Sequence, residues 1–165
     1  MIQKKICMVG LFATGKTSLV RQFVHSMFSE KYHSTVGVKI DRKSVEVDGE
    51  AVNLVLWDLA GRDDVEDIQP SYLRGAAGIF FVVDGTRRET FEQLFELRDL
   101  CREAAGDVPA IVALNKSDLE DEWKLGEADL GRLSSEGLDF FVTSAKTGDG
   151  VEEAFQGLAA RTLST

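Results

Sequence analysis

Gly10-Leu11-Phe12-Ala13-Thr14-Gly15-Lys16-Thr17 is the stretch that decides the fold. It matches G-x-x-x-x-G-K-[ST], a loop whose backbone N–H groups wrap a phosphate. An apolar run, Ile6–Val9, leads in, and Leu19, Val20, Phe23, Val24 and Met27 lead out at helical spacing. The physics requires that order. The amides converge on the anion, and the start of the helix adds a partial positive charge. Gly10 and Gly15 allow turns and close approaches that a Cβ would block. Ala13, Thr14, Gly15 and Ser18 are read as cradle residues, Lys16 as a point charge for the outer phosphates, and the Thr17 hydroxyl as a Mg²⁺ ligand. The alternative is a strand-turn-helix with an accidental Lys-Thr.

Outward from this loop, short apolar runs alternate with helical patterns. The predicted strands are Ile6–Val9, Val52–Trp57, Ile79–Val83, Ile111–Leu114 and Phe140–Val142. Most are unbroken apolar runs, as expected of parallel strands covered on both faces. Helical spacing recurs in Thr90–Ala105 and Val151–Leu163. Val38–Val47 and Val52–Trp57 flank Asp48-Gly49, a dipeptide suited to a tight hairpin. Val38 and Ile40 are even-numbered while Val45 and Val47 are odd, which predicts a bulge near Arg42–Ser44. Strand-helix-strand units with right-handed crossovers then give an α/β fold with a three-layer sheet.

The chain has 165 residues, enough for one domain over residues 1–165. Twenty-eight acids against nineteen bases give a net charge of −9. Such a surface repels nucleic acid and anionic lipid at long range, so a phosphate ligand must be held locally. Cys7 and Cys101 sit in apolar runs and read as buried free thiols of a reducing compartment. No leader, membrane-spanning run, myristoylation signal or prenylation cysteine is evident, so the expectation is a cytoplasmic chain without its own lipid anchor.

Asn115-Lys116-Ser117-Asp118 follows the run Ala110–Leu114, at a strand's C-terminal end where open α/β sheets bind ligands. An ionised Asp only accepts hydrogen bonds. Guanine presents two adjacent donors, its N1–H and its amino group, whereas adenine presents an acceptor in place of N1–H. Asp118 therefore selects guanine. Lys116 can lie over the ring, and Asn115 can tie this loop to the phosphate loop. Ser144-Ala145-Lys146 follows another strand, and the Ala145 N–H can donate to the guanine oxygen. Asp58-Leu59-Ala60-Gly61 closes the strand ending at Trp57. Asp58 is placed to hold Mg²⁺, through water, and Gly61 to offer its N–H to a terminal phosphate. Thr35 is expected to complete the Mg²⁺ shell when the third phosphate is present.

Together these motifs resemble the Ras superfamily of small GTPases, its Ras and Rab branches in particular, over nearly the whole chain. The resemblance implies a six-stranded, mostly parallel sheet with one antiparallel hairpin and five flanking helices. It implies a conformational switch that binds GTP and GDP with Mg²⁺. Residues around 28–38 and 60–74 would be the switch segments, met by an effector, an exchange factor and an activating protein. Phe28 falls where the family places an aromatic against the base edge, and Tyr32 where an aromatic lids the phosphates. A monomer or a weak nucleotide-dependent dimer is expected. Lys16, Thr35, Gly61 and Arg62 are the candidate catalytic residues.

Three departures from the family pattern bear on function. Arg62 stands where the family usually has a Gln that orients the attacking water. Arg has no acceptor for a water hydrogen and cannot align the nucleophile in that way. It is either a cis arginine finger or an exposed arginine without a catalytic part. Phe12 would crowd the place a partner's arginine finger needs, unless its ring turns outward or onto a switch segment. The lipidated tail of membrane-working members is missing, which fits cytosolic action, tethering by a partner, a trimmed chain or a prokaryotic branch. Slow intrinsic hydrolysis is the resulting expectation. The competing readings are a GTP-binding module with negligible turnover and a P-loop nucleotide kinase. The scattered bases and the guanine reader argue against the kinase.

Overall fold

The computed structural model describes residues 2–26, 28, 38–59 and 69–164. Its strands are β1 (Ile2–Val9), β2 (Val38–Val47), β3 (Glu50–Leu59), β4 (Gly78–Asp84), β5 (Ala110–Asn115) and β6 (Asp139–Val142). Its helices are α1 (Lys16–His25), α2 (Pro70–Leu73), α3 (Arg88–Ala105), α4 (Glu127–Ser135) and α5 (Val151–Leu163). The sheet order is β2-β3-β1-β4-β5-β6, with β2 antiparallel to β3 and every other pair parallel.

Unbroken apolar strands feed two cores at once, because successive side chains point to opposite faces. In β4, Phe80 and Val82 join the core beneath α1 and α5, while Ile79, Phe81 and Val83 join the one beneath α3. β1 and β5 divide in the same way: Ile6, Met8, Ile111 and Ala113 lie on one side, Cys7, Val9, Val112 and Leu114 on the other. On the α1/α5 side Phe155 stacks on Phe23 at 4.1 Å and on Phe80 at 4.2 Å. α1 ends at His25 because Ser26 adopts a left-handed φ of 53° and donates its N–H to Gln22 O. The Met27 position of the predicted helix lies outside the described residues.

The expected bulge is absent. β2 pairs residue for residue with β3, from Val38↔Leu59 to Val47↔Glu50. The change of parity is met instead by leaving Val38 and Ile40 on the solvent side, 43% and 40% exposed. Lys43 takes an inner position. Its stem reaches inward, and its Nζ donates to Phe23 O at 2.6 Å and sits 4.3 Å from the Phe23 ring centre. A lysine stem covers apolar surface while its head finds a carbonyl, so the strand runs straight without an apolar residue there.

Parallel strands finish on one edge of the sheet, and this gathers the motifs. Met8 is level with Asp58, Val9 with Phe81, and Asp84 with Asn115. The phosphate loop, Asp58, Asn115 and Ser144 all follow or close strands on that edge.

Candidate functional site

The loop after β1 is held by its glycines and by groups outside it. A Cβ on Gly10 would lie 2.6 Å from Val82 O, and one on Gly15 would lie 2.3 Å from Asn115 Nδ2. Gly15 also has a φ of 106°, which L residues with a side chain avoid. Thr14 is fully buried and its hydroxyl donates to Leu11 O at 3.0 Å. Lys16 is the first residue of α1, and its Nζ donates to Gly10 O at 2.9 Å. Burial lowers its pKa to about 8, and the Asp58 carboxylate opposes that shift. The ammonium is thus stripped of water at the loop's mouth, where an anion gains most from it.

Beside the loop lies a cavity of about 280 Å³, close to the ~300 Å³ lower bound of small-molecule pockets. Gly15, Ser18, Phe28, Asn115, Lys116, Asp118, Ala145 and Lys146 line it, all singled out from sequence, together with Leu119, which was not. Asp118 Oδ1 accepts from the Ser144 hydroxyl at 2.7 Å, and the Ser144 oxygen accepts from Thr147 N–H. Asn115 joins three segments. Its Nδ2 donates to Thr14 O at 3.1 Å, and its Oδ1 accepts from Thr143 Oγ1 at 3.1 Å and from Ala145 N–H at 3.3 Å. The Ala145 amide therefore already has a partner, at the long end of the hydrogen-bond range.

Lys116 holds the left-handed region at φ 72°. Its Nζ donates to Ala13 O at 3.0 Å and forms an ion pair with Asp84 Oδ2 at 2.8 Å. Asp84 is fully buried, and its Oδ1 accepts from Thr86 N–H and the Thr86 hydroxyl. A buried carboxylate without such partners would be costly. Sequence reading passed over Asp84. The one signal for it is a carboxylate closing a wholly apolar run. It also passed over Gln22 of α1, whose Nε2 donates to Ala145 O at 2.7 Å.

Asp58 is 1% exposed, and its Oδ2 accepts from the Thr17 hydroxyl at 2.6 Å. Two hard oxygens at the mouth of a phosphate loop suit Mg²⁺, which prefers oxygen ligands and keeps several waters. Thr35, Tyr32, Gly61 and Arg62, with most of both switch segments, lie outside the described residues.

A mostly parallel sheet whose first strand feeds this loop, with a cavity lined by Asp118 beside it, defines the P-loop nucleotide-binding class. Within that class, the Ras family model matches residues 5–164, and the chain belongs to the Ras family. It is similar to the Ras-related protein Rab-4B of Rattus norvegicus, 38% identical over 153 residues, covering 92% of this chain and 72% of the relative. It is 34% identical over 157 residues to the Ras-related protein Rab-13 of Canis lupus familiaris, covering 94% of this chain and 77% of the relative. Against Rab-4A of Rattus norvegicus it is 37% identical over 161 residues, covering 96% and 74%. The chain is therefore a GTP-binding molecular switch of the GTPase class. Among the described residues no helix is long and apolar enough to cross a membrane.

Proposed function

We propose that residues 1–165 form one G domain that binds GTP and GDP with Mg²⁺ in the cytoplasm and hydrolyses GTP slowly. The observation that carries the binding reading is the cavity lined by Asp118 and opening onto Gly15 and Ser18 of the phosphate loop. Asp118 accepts from the guanine N1–H and amino group, Lys116 lies along the ring, and Phe28 covers its edge. Ser144 orients Asp118, and Ala145 with Lys146 borders the base oxygen. Ala13, Thr14, Gly15, Lys16, Thr17 and Ser18 hold the phosphates. Thr17, Thr35 and Asp58 supply oxygens for Mg²⁺, which neutralises charge on the outer phosphates when bound. Tyr32 covers those phosphates, and Gly61 donates its N–H to the third.

Slow turnover rests on Arg62. A guanidinium has donors only, so it leaves the attacking water unaligned. Phe12, 39% exposed, would crowd the space that an activating protein's arginine needs. The second reading, a binding module with negligible hydrolysis, draws on the same two residues. Effectors meet the switch segments in either reading.

Calorimetry in magnesium buffer tests binding. GDP is expected to bind, and ADP to bind about 10⁴-fold more weakly. Absence of GDP binding overturns the reading. Single-turnover GTP hydrolysis followed over hours tests the rate. Arg62→Gln is expected to raise it by about ten- to a hundredfold, the scale of repairing a misplaced reactant. A fast wild-type rate, unchanged or slowed by that substitution, overturns the role given to Arg62. No phosphate release over many hours selects the binding module.

A further inference from the structure

Three consecutive carbonyls of the phosphate loop are tied from outside. Thr14 O accepts from Asn115 Nδ2 and Ala13 O from Lys116 Nζ, both in the base-reading motif. The first, Phe12 O, accepts from Arg87 Nη1 at 2.7 Å. Arg87 belongs to no nucleotide motif. It stands at the junction of β4 and α3, where its N–H donates to Asp84 O and its carbonyl accepts from Thr90. Its Nε donates to Glu89 Oε1 at 3.1 Å, so the guanidinium is aimed by a carboxylate on one side and spent on the loop on the other. Its side chain is only 33% exposed.

The peptide that Arg87 grips is a special one. In a planar trans peptide the C=O and the next N–H point in opposite directions. Holding Phe12 O outward therefore turns the Ala13 N–H toward the inside of the loop. Ala13 itself has φ 61°, a left-handed conformation that a residue with a Cβ adopts only when its surroundings hold it there. Gly15 and Ser18 line the cavity assigned to the base, and the Lys16 Nζ at Gly10 O and Leu11 O marks the other end of the loop; on the nucleotide reading the peptides between them face the phosphates.

We propose that Arg87 is a positioning residue for the outer phosphates: it pins the Phe12 carbonyl, holds Ala13 in its left-handed conformation and keeps the Ala13 N–H aimed at them. The proposal rests on the nucleotide reading above. It differs from that reading in using a residue outside every nucleotide motif, acting through the back of the loop.

The test compares GDP with GMP, which lacks the β-phosphate, by competition binding to the full chain in magnesium buffer. Arg87→Ala is expected to weaken GDP by about tenfold or more, the scale of one lost charge-assisted hydrogen bond, and to leave GMP unchanged. Unchanged GMP binding also shows that the variant is folded. Arg87→Lys returns a charged donor and is expected to recover part of the loss. GDP affinity within about twofold of wild type in Arg87→Ala overturns the proposal. So does an equal loss for GDP and GMP, which marks a general disturbance, and so does a lysine variant no better than alanine. A wild-type chain that binds neither nucleotide removes the nucleotide reading and this proposal with it.

Discussion

Asp118 concentrates the choice of base into two oxygens, one of which already accepts from Ser144. Asp118→Asn replaces an acceptor by an N–H donor facing two guanine donors. GDP affinity is expected to fall about 10³-fold, and xanthosine diphosphate, whose ring carries a carbonyl in place of the amino group, to gain; nucleotide competition checks both. Gly15 carries a different burden. Its φ of 106° and the 2.3 Å approach of Asn115 Nδ2 leave no room for a methyl group. Gly15→Ala is expected to break the Asn115–Thr14 link, lowering both the melting temperature and GDP affinity, as read by thermal unfolding with and without GDP. Both residues were legible in the sequence by type and spacing. What approaches them was not. That Gly15 makes way for a side chain one hundred positions on follows from the crossover connections, and Gln22 and Asp84 join the site by the same long-range route. Arg87 was the least legible of all, because it acts through a backbone carbonyl that no motif records.

Among the elements, β4 and β5 were legible because burial on both faces demands apolar residues at nearly every position. The hairpin was legible from Asp48-Gly49, whose φ values of 50° and 80° fit a turn that needs the left-handed region at both positions. The parity of β2 misled, because hydropathy counts an exposed isoleucine and a buried one alike. Ile40 faces solvent, and a lysine works as the inner residue. The acidic Glu120–Glu127 stretch, by composition the nearest thing to a linker but too short to separate domains, is packed down. In the structure Trp123 lies flat on Gly85, Lys124 N–H donates to Gly85 O at 2.8 Å, and Arg88 binds Asp129 through two hydrogen bonds. A Cβ at Gly85 would fall 2.0 Å from the Trp123 ring. Gly85→Ala is expected to lose about 1–3 kcal/mol by overpacking, measured as a lower urea midpoint with a red-shifted tryptophan signal.

At the scale of the whole molecule, two cores share one sheet, and each carries its own load. Removing the ring that bridges α1 and β4 through Phe155→Ala is expected to cost about 3–5 kcal/mol in urea unfolding. The other core holds both thiols. Burial pushes Cys7 up to about 11, against a smaller opposing pull from Lys5, and Cys101 up to about 12, with Cys7 adding to the rise. The folded chain therefore keeps protons that the unfolded chain releases above its ordinary thiol pKa of 9.0. This contribution is complete below pH 9 and is lost as pH rises through 11 to 12. Urea midpoints should fall between pH 8.5 and about 11 more steeply in the wild type than in a Cys7→Ala, Cys101→Ala variant. Native protein at pH 8 should also resist thiol reagents. The sheet has one further property. Among the described residues no strand pairs with the outer margin of β2, a strand that also carries Lys39, Asp41, Arg42 and Glu46. A bare ladder of that length invites a neighbouring molecule to zip onto it, and this mixture of signs makes most alignments repulsive somewhere. Changing those four residues to threonine and valine should turn a dispersed solution into one that clouds on standing and shows a cross-strand infrared band, with GDP binding unchanged.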